Sequence, residues 1–413
     1  MKITEKKSIF FLLLLVVFTF ACAERTSYTR SNTSVSDTGN EQTPEQNIPE
    51  NTGSLIFIES SDGTDDGVQR LLTSMQDKGV YFYQTQIHPL GLIASDDVVL
   101  LKINCQWAER GGTNTDLIRS VIQAILDHPV GFNGEIIVAD NGQAQFGSER
   151  RGGSLSWASN NAVDRTQSVM HVIRSFQGRR VTGVLWDEFT AVQVSEFSGG
   201  DMRDGFVVEN TVRSTGLEVS YPKFSTEFGT RVSFKEGIWD ANTNTYDSEK
   251  LKIINMPVLK SHGLFQVTAA VKSYMGVPSD RLTERRSHNS VGMGGMGTLM
   301  AETRFPVLNI LDMIWIGPDQ GPRNTYNMAV QINKIAASTD PVALDYWAAK
   351  HILIPEAEKF PGGRAPSMNP DSTEPGTFGR WLRLSMNELH TAGIPATMDV
   401  SEIQIIDNTV TPH

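Results

Sequence analysis

The chain has 413 residues, 39% hydrophobic and 20% charged, an ordinary balance for a globular body. Its net charge of −11, with no long basic stretch to offset it, argues against a nucleic-acid partner. With only Cys22 and Cys105, it cannot build a cysteine-ligated zinc site or an iron–sulfur cluster.

The chain opens with MKITEKKS, which carries three lysines, and continues into an apolar run over 9–21 (IFFLLLLVVFTFA). That run is shorter than the roughly 20 residues a membrane-spanning helix needs. A basic start, a short apolar stretch and a small residue at its end read as a secretory signal peptide over 1–21. Cys22 follows directly, and the arrangement resembles a bacterial lipoprotein signal, whose cysteine receives a lipid. Thr19 stands where such signals carry leucine, so cleavage without lipidation is the alternative. Residues 22–53, rich in Ser, Thr, Asn, Glu and Gln, read as a flexible tether. The expectation is a protein outside the cytoplasm, in the cell envelope, held to a membrane by lipid on Cys22.

From 54 onward strand and helix alternate, and 54–413 reads as one α/β domain. SLIFIES (54–60) predicts a buried strand and 65–78 a helix. DVVLLKIN (97–104) predicts a second strand, and 115–128 a helix with Leu117, Ile118, Val121, Ile122 and Ile125 on one face. EIIVADN (135–141) and VTGVLWDEF (181–189) predict two more strands around a helix at 162–176. Apolar runs without polar alternation, separated by helices, point to a mostly parallel sheet covered on both faces.

The rhythm breaks over about 190–250, where short β-prone pieces predict a β-rich insertion. It resumes with KIINMPVLK (252–260), after which 264–276 predicts a helix with Leu264, Val267, Val271 and Tyr274 as its apolar stripe. Strands at 306–316 and 328–338 follow, then a helix at 341–353 with Asp340 as N-cap and Pro341 in its first turn. A loop (355–377), a helix (378–391) and a strand (402–406) close the chain.

In open parallel sheets, ligands bind beyond the carboxyl ends of the strands. Polar residues recur there: Lys102 and Asn104, Asp140, Lys260 with His262, and Asp312; Asp340 and Asp345 start a helix. Capping of the following helices accounts for many Asp and Asn residues at such junctions. It does not account for lysines. Lys102, inside LLKIN, needs a carboxylate, a carbonyl or an anionic ligand nearby, or must snorkel to water. Lys272 is either a solvated helix residue or a partner of Lys260 and His262 at an anion-holding helix start. Cys105 reads as a small buried residue at a strand end. GMGGMG (292–297) lacks the preceding strand a nucleotide loop requires, and His288, in RRSHNS, reads as exposed. The spare carboxylates with His262 and His288 could hold an oxygen-rich divalent metal, although no spacing demands one.

Several of these stretches resemble the family known as domain of unknown function 362. They are Lys102-Ile103-Asn104, Thr115-Asp116 and Asp140; then Pro257, Leu259-Lys260, His262-Gly263, Lys272 and Gly276. The last are Leu308-Asn309-Ile310-Leu311-Asp312, Gly321-Pro322 and Ser338-Thr339-Asp340-Pro341-Val342-Ala343-Leu344-Asp345. The likeness runs over about 90–350. It departs from the family pattern at Ile103, Val258 and Ser273. The resemblance implies that Lys102, Lys260, His262, Lys272 and Asp345 share one site, but implies no settled reaction. Some relatives carry ferredoxin-type cysteines that this chain lacks.

Together these readings give a pocket for a small anionic molecule. His262, Lys260 and Asp345 are the candidate catalytic groups. Lys102, Asn104, Lys272, Asp140, Asp312 and Asp340 are the candidate binding groups. The protein is then an acid/base or metal-assisted enzyme, or a non-catalytic solute- or glycan-binding envelope lipoprotein.

Overall fold

A computed structural model describes residues 53–143, 152–319, 321–362 and 364–409. The expected signal peptide, Cys22 and all of the tether but Gly53 lie outside these residues.

The main sheet has ten strands. In chain order they are β1 (Ser54–Ser60), β2 (Val98–Ile103), β3 (Glu135–Asp140) and β4 (Val181–Leu185) from the first half. An insertion supplies a second, five-stranded sheet: β5 (Gly205–Val212), β6 (Glu218–Ser225), β7 (Arg231–Ser233), β8 (Gly237–Asp240) and β9 (Thr245–Asp247). The main sheet resumes with β10 (Leu251–Met256), β11 (Val258–His262), β12 (Gln266–Thr268), β13 (Leu308–Gly317), β14 (Val330–Ser338) and β15 (Ile403–Asp407). Its path runs β15-β1-β14-β13-β10-β2-β3-β4, and β11 and β12 form a hairpin against β13. All neighbours on the path are parallel except those of β14. The fold is therefore α/β, with a mostly parallel sheet and an antiparallel β insertion.

Both faces of the sheet are apolar, which explains the unbroken hydrophobic runs of its strands. Along β2, Val98 and Leu100 join one buried layer while Val99 and Leu101 join the other. Helices α1 (Gly67–Asp77), α2 (Thr115–Leu126) and α3 (Val169–Ser175) cover the second layer. On the first lie α4 (Ala270–Ser273), α6 (Gly295–Glu302), α7 (Pro341–Ala348), the helix Phe378–Thr391 and the insertion, with the short α5 (Arg286–Ser290) preceding α6. The last glycine of GMGGMG serves packing. A Cβ at Gly297 would sit 2.1 Å from the Ser385 carbonyl, so the bare backbone lets α6 approach the helix Phe378–Thr391.

One expected element is corrected. Residues 264–276 do not form one helix: 258–268 is the β11–β12 hairpin, with Lys260 opposite Thr268 and His262 opposite Gln266. The His262 ring explains the turn, because its Nδ1 accepts hydrogen bonds from the backbone N–H of Leu264 and Phe265, both at 3.1 Å. Such local side-chain bonds compete with helix formation. Leu264, expected on a buried stripe, is 65% exposed at the hairpin tip. Helix begins only at Ala270.

Candidate functional site

The carboxyl ends of β2, β3, β10 and β11 lie at one edge of the main sheet, and there three lysines gather below the surface. Lys102, Lys260 and Lys272 are each no more than 4% exposed.

Lys102 comes from β2, on the side of Val98 and Leu100. Its ammonium donates to the Ile103 carbonyl (2.8 Å) and to Ser273 Oγ (3.0 Å), and lies 3.0 Å from Asp140 Oδ1 at the end of β3. The other Asp140 oxygen accepts the Cys105 N–H at 2.9 Å. Oδ1 has no aligned hydrogen bond among the described residues, so its attraction to Lys102 is chiefly Coulombic. Gly276 closes over this pair. A Cβ there would fall 2.0 Å from Asp140 Oδ1 and 2.4 Å from Lys102 Nζ. Asn141 fastens the covering segment by donating its side-chain amide to the carbonyls of Met275 (3.2 Å) and Pro278 (2.7 Å).

Lys260, in β11, donates to the Gly111 carbonyl at 2.5 Å. Lys272, in α4, has the Phe265 ring 5.4 Å from its ammonium. Neither has a carboxylate oxygen within 4.0 Å among the described residues. Burial holds both far below the ordinary lysine range, at about 7. Repulsion adds to it, from Lys272 on Lys260 and from Lys102 on Lys272.

Two histidines and one aspartate complete the cluster. His262 is half-buried, and since its Nδ1 accepts two backbone N–H groups, the neutral ring carries its proton on Nε2. Burial, and then Lys272, His288 and Lys260, hold its pKa below the usual value. His288 corrects the reading of RRSHNS as exposed: it is buried, its Nδ1 3.4 Å from Asp280 Oδ2 and its ring 6.5 Å from that of His262. Phe265 neighbours both, 5.4 Å from the His262 ring and 5.3 Å from His288.

The remaining expected residues hold the frame. Asn104 accepts the Val258 N–H at 3.0 Å and fixes the start of β11. Asp312 accepts the Asn114 N–H (2.8 Å), the Ile314 N–H (3.0 Å) and the Asn161 amide (3.2 Å). Burial still pushes its carboxyl up to about 6. Asp345 accepts the N–H groups of Ala270 (2.6 Å) and Val271 (2.9 Å), so it caps the one-turn helix that carries Lys272 and Ser273. Its carboxyl is pushed up to about 8 by burial. Asp340 does not join the cluster. It caps α7 through Val342 and Ala343 and accepts from Ser54 Oγ (2.5 Å) at the start of β1. The reason is topological: β14 runs antiparallel, so its carboxyl end reaches the opposite edge.

Ser273, Asp280 and Gly276 were not singled out from the sequence as site residues, and His288 was named only as a possible metal ligand. Ser273 departs from the family pattern, yet its hydroxyl touches Lys102, and that departure was the available signal. Among the described residues no three His, Cys, Asp or Glu side chains come together as a metal-holding group. Asp140, Asp312 and Asp345 are each engaged with backbone N–H groups. Cys105 is buried, as expected of a strand-end cysteine, with its thiol pushed well above the usual range by burial. Among the described residues no helix is long and apolar enough to cross a membrane.

Residues 247–350 match the family model described as Domain of unknown function (DUF362). The DUF362 span contains Lys260, His262, Lys272, Asp280, His288, Asp312 and Asp345; Lys102 and Asp140 lie before it. No curated protein matches the chain. A crystal structure of a Thermotoga maritima protein, a Northeast Structural Genomics Consortium target, is similar at 10% identity with a TM-score of 0.26. The similarity covers 55% of this chain and 47% of that one, so the chain spans less than half of that protein's length.

Proposed function

We propose that the lysine cluster binds a small anionic molecule and that His262, beside the Asp280–His288 pair, moves a proton on it. The observation that carries this reading is the pair Lys260 and Lys272, buried cations with no carboxylate at ion-pair distance among the described residues. Buried charge is costly unless paired, and an anionic ligand would supply the partner. The buried Thr268 hydroxyl, opposite Lys260 across the hairpin, also lacks a protein hydrogen-bond partner among the described residues. It could donate to the same anion.

The division of labour follows from the chemistry of the groups. Lys102, already matched with Asp140, sets the potential of the site. Lys260 and Lys272 hold the anion. His262 presents an Nε2–H to the bound molecule as the candidate proton-transfer group, and the Asp280–His288 pair stands beside it. Asp345 and Asp312 position the elements that bear these groups. In this reading the protein works outside the cytoplasm, held to a membrane through Cys22.

Isothermal titration calorimetry of the full chain with inorganic phosphate and with malonate tests the binding step, and native mass spectrometry identifies what co-purifies. K260M and K272M should each weaken binding at least tenfold, a loss of about 1.4 kcal/mol. H262A should leave affinity intact and abolish turnover of the co-purified compound. Unchanged binding in both lysine variants would sink the anion site. If the co-purified compound is bound but never converted, the protein is a binding lipoprotein and not an enzyme.

A further inference from the structure

The edge of the main sheet opposite the lysine cluster carries a different surface. Strands β1, β2 and β3 run in the same direction, so the segments entering them share that edge. Residues 79–95 lead into β2 and include no Asp, Glu, Lys or Arg; neither do residues 128–134, which lead into β3. In a chain that is 20% charged, such a gap on exposed loops is unusual. The loops rhyme in sequence, His88-Pro89-Leu90-Gly91 and His128-Pro129-Val130-Gly131. Their tips project aliphatic side chains: Ile87 is 83% exposed, Leu90 90% and Val130 66%. Ile87 and Val130 line one cleft of about 400 Å³ with Tyr81, Phe82, Tyr83 and His88, and no charged side chain borders it.

The 52 residues that precede the described body enter it on this edge. Gly53 and Ser54, at the start of β1, line a hollow with Met75 and Val80, next to the last turn of α1 whose Gln76 borders the aromatic cleft. We infer that these two charge-free, aliphatic-tipped loops rest on a lipid surface, with Ile87, Leu90 and Val130 entering the headgroup boundary. Exposed aliphatic tips beside tyrosines suit that boundary, where apolar groups leave water and phenol hydroxyls stay wet. No ionised group in these two segments would have to shed water on contact. The inference rests on the membrane attachment proposed above and adds an orientation: the lysine cluster faces away from the bilayer.

The test uses the full chain with L90C, labelled with an environment-sensitive thiol dye and mixed with phosphatidylethanolamine–phosphatidylglycerol vesicles containing a spin-labelled quencher lipid. L264C, at the opposite edge, is the reference. Cys105 is buried and unreactive, and any label on Cys22 is common to both chains. Flotation with the vesicles reports attachment separately. The expected result is several-fold brighter, quenchable emission at position 90 and none at 264, lost when I87D and V130D are added to the L90C chain. A chain that floats while position 90 stays dim overturns the orientation and leaves attachment standing. A chain that does not float overturns both. Brightening that follows protein concentration without vesicles shows self-association and overturns the lipid assignment.

Discussion

The two halves of the lysine cluster solve the same electrostatic problem differently. Around Lys102 the protein supplies everything: a carboxylate at 3.0 Å, a carbonyl, a hydroxyl and a glycine that seals the pair. Around Lys260 and Lys272 it supplies one carbonyl and the face of one ring. Both halves are equally buried, so burial alone does not separate a structural lysine from a functional one. The difference lies in whether the fold completes the partner set. Asp345 makes the same point for carboxylates: its two oxygens are filled by backbone N–H groups, so it serves the frame.

Breaking the completed half should have the largest effect. Asp140→Ala leaves Lys102 as an uncompensated buried charge and orphans the Cys105 N–H, at a cost of about 3–5 kcal/mol. Urea unfolding should show it as a lower midpoint with an unchanged slope. If Asp140→Ala cost under about 1 kcal/mol, Lys102 would have access to water or another partner, and the contrast between the halves would dissolve. Gly276→Ala probes the seal more gently. The added methyl meets Asp140 Oδ1 and Lys102 Nζ, which must shift, and overpacking of this kind costs about 1–3 kcal/mol. Phosphate binding should also weaken, because Gly276 closely follows Lys272 and Ser273.

How much of this was legible in the sequence follows the same division. Parallel β strands buried on both faces announce themselves as apolar runs, and the lysine inside LLKIN stood out because nothing local could satisfy it. Lys260 stood at a strand end in the same way, whereas the residues alone left Lys272 open and only the family resemblance drew it into the site. His288 was hidden because RRSHNS is locally charged, and only the packing of α5 against the rest buries its histidine. The helix expected over 264–276 begins only at Ala270, because a single ring nitrogen at His262 captures the backbone N–H groups that a first helical turn would present. Asp340 was misplaced because a one-dimensional reading treats every strand end alike, whereas β14 is antiparallel and delivers its end to the far edge.

The smallest change at neutral pH, and the sharpest on the comparison, is Lys272→Met. An unbranched apolar side chain replaces a buried cation that lacks an ion-pair partner, so stability at pH 7 should stay within about 1 kcal/mol of the parent or rise. Its signature is the pH profile. The folded chain releases the protons of Lys260 and Lys272 near pH 7, whereas the unfolded chain keeps them until the ordinary value of 10.5. Above about pH 7 the unfolded state therefore holds more protons, and stability rises toward pH 10.5 by about 1.4 kcal/mol per pH unit for each lysine. Below about pH 7 both states are protonated and this contribution is gone. The buried carboxylates act in the opposite sense. Asp312 and Asp345, raised from 3.8 to about 6 and about 8, hold protons in the folded chain that the unfolded chain has released. Their contribution is present at low pH and is lost as pH climbs through those values. The parent should thus weaken from mildly acid to neutral pH and recover above it. Lys272→Met should keep the acid limb and lose about half of the alkaline recovery in urea titrations. Relief of repulsion should also move the onset set by Lys260 upward. An alkaline limb identical to the parent's would mean that Lys272 is already neutralised by a partner in the folded chain, and the two halves of the cluster would then be alike.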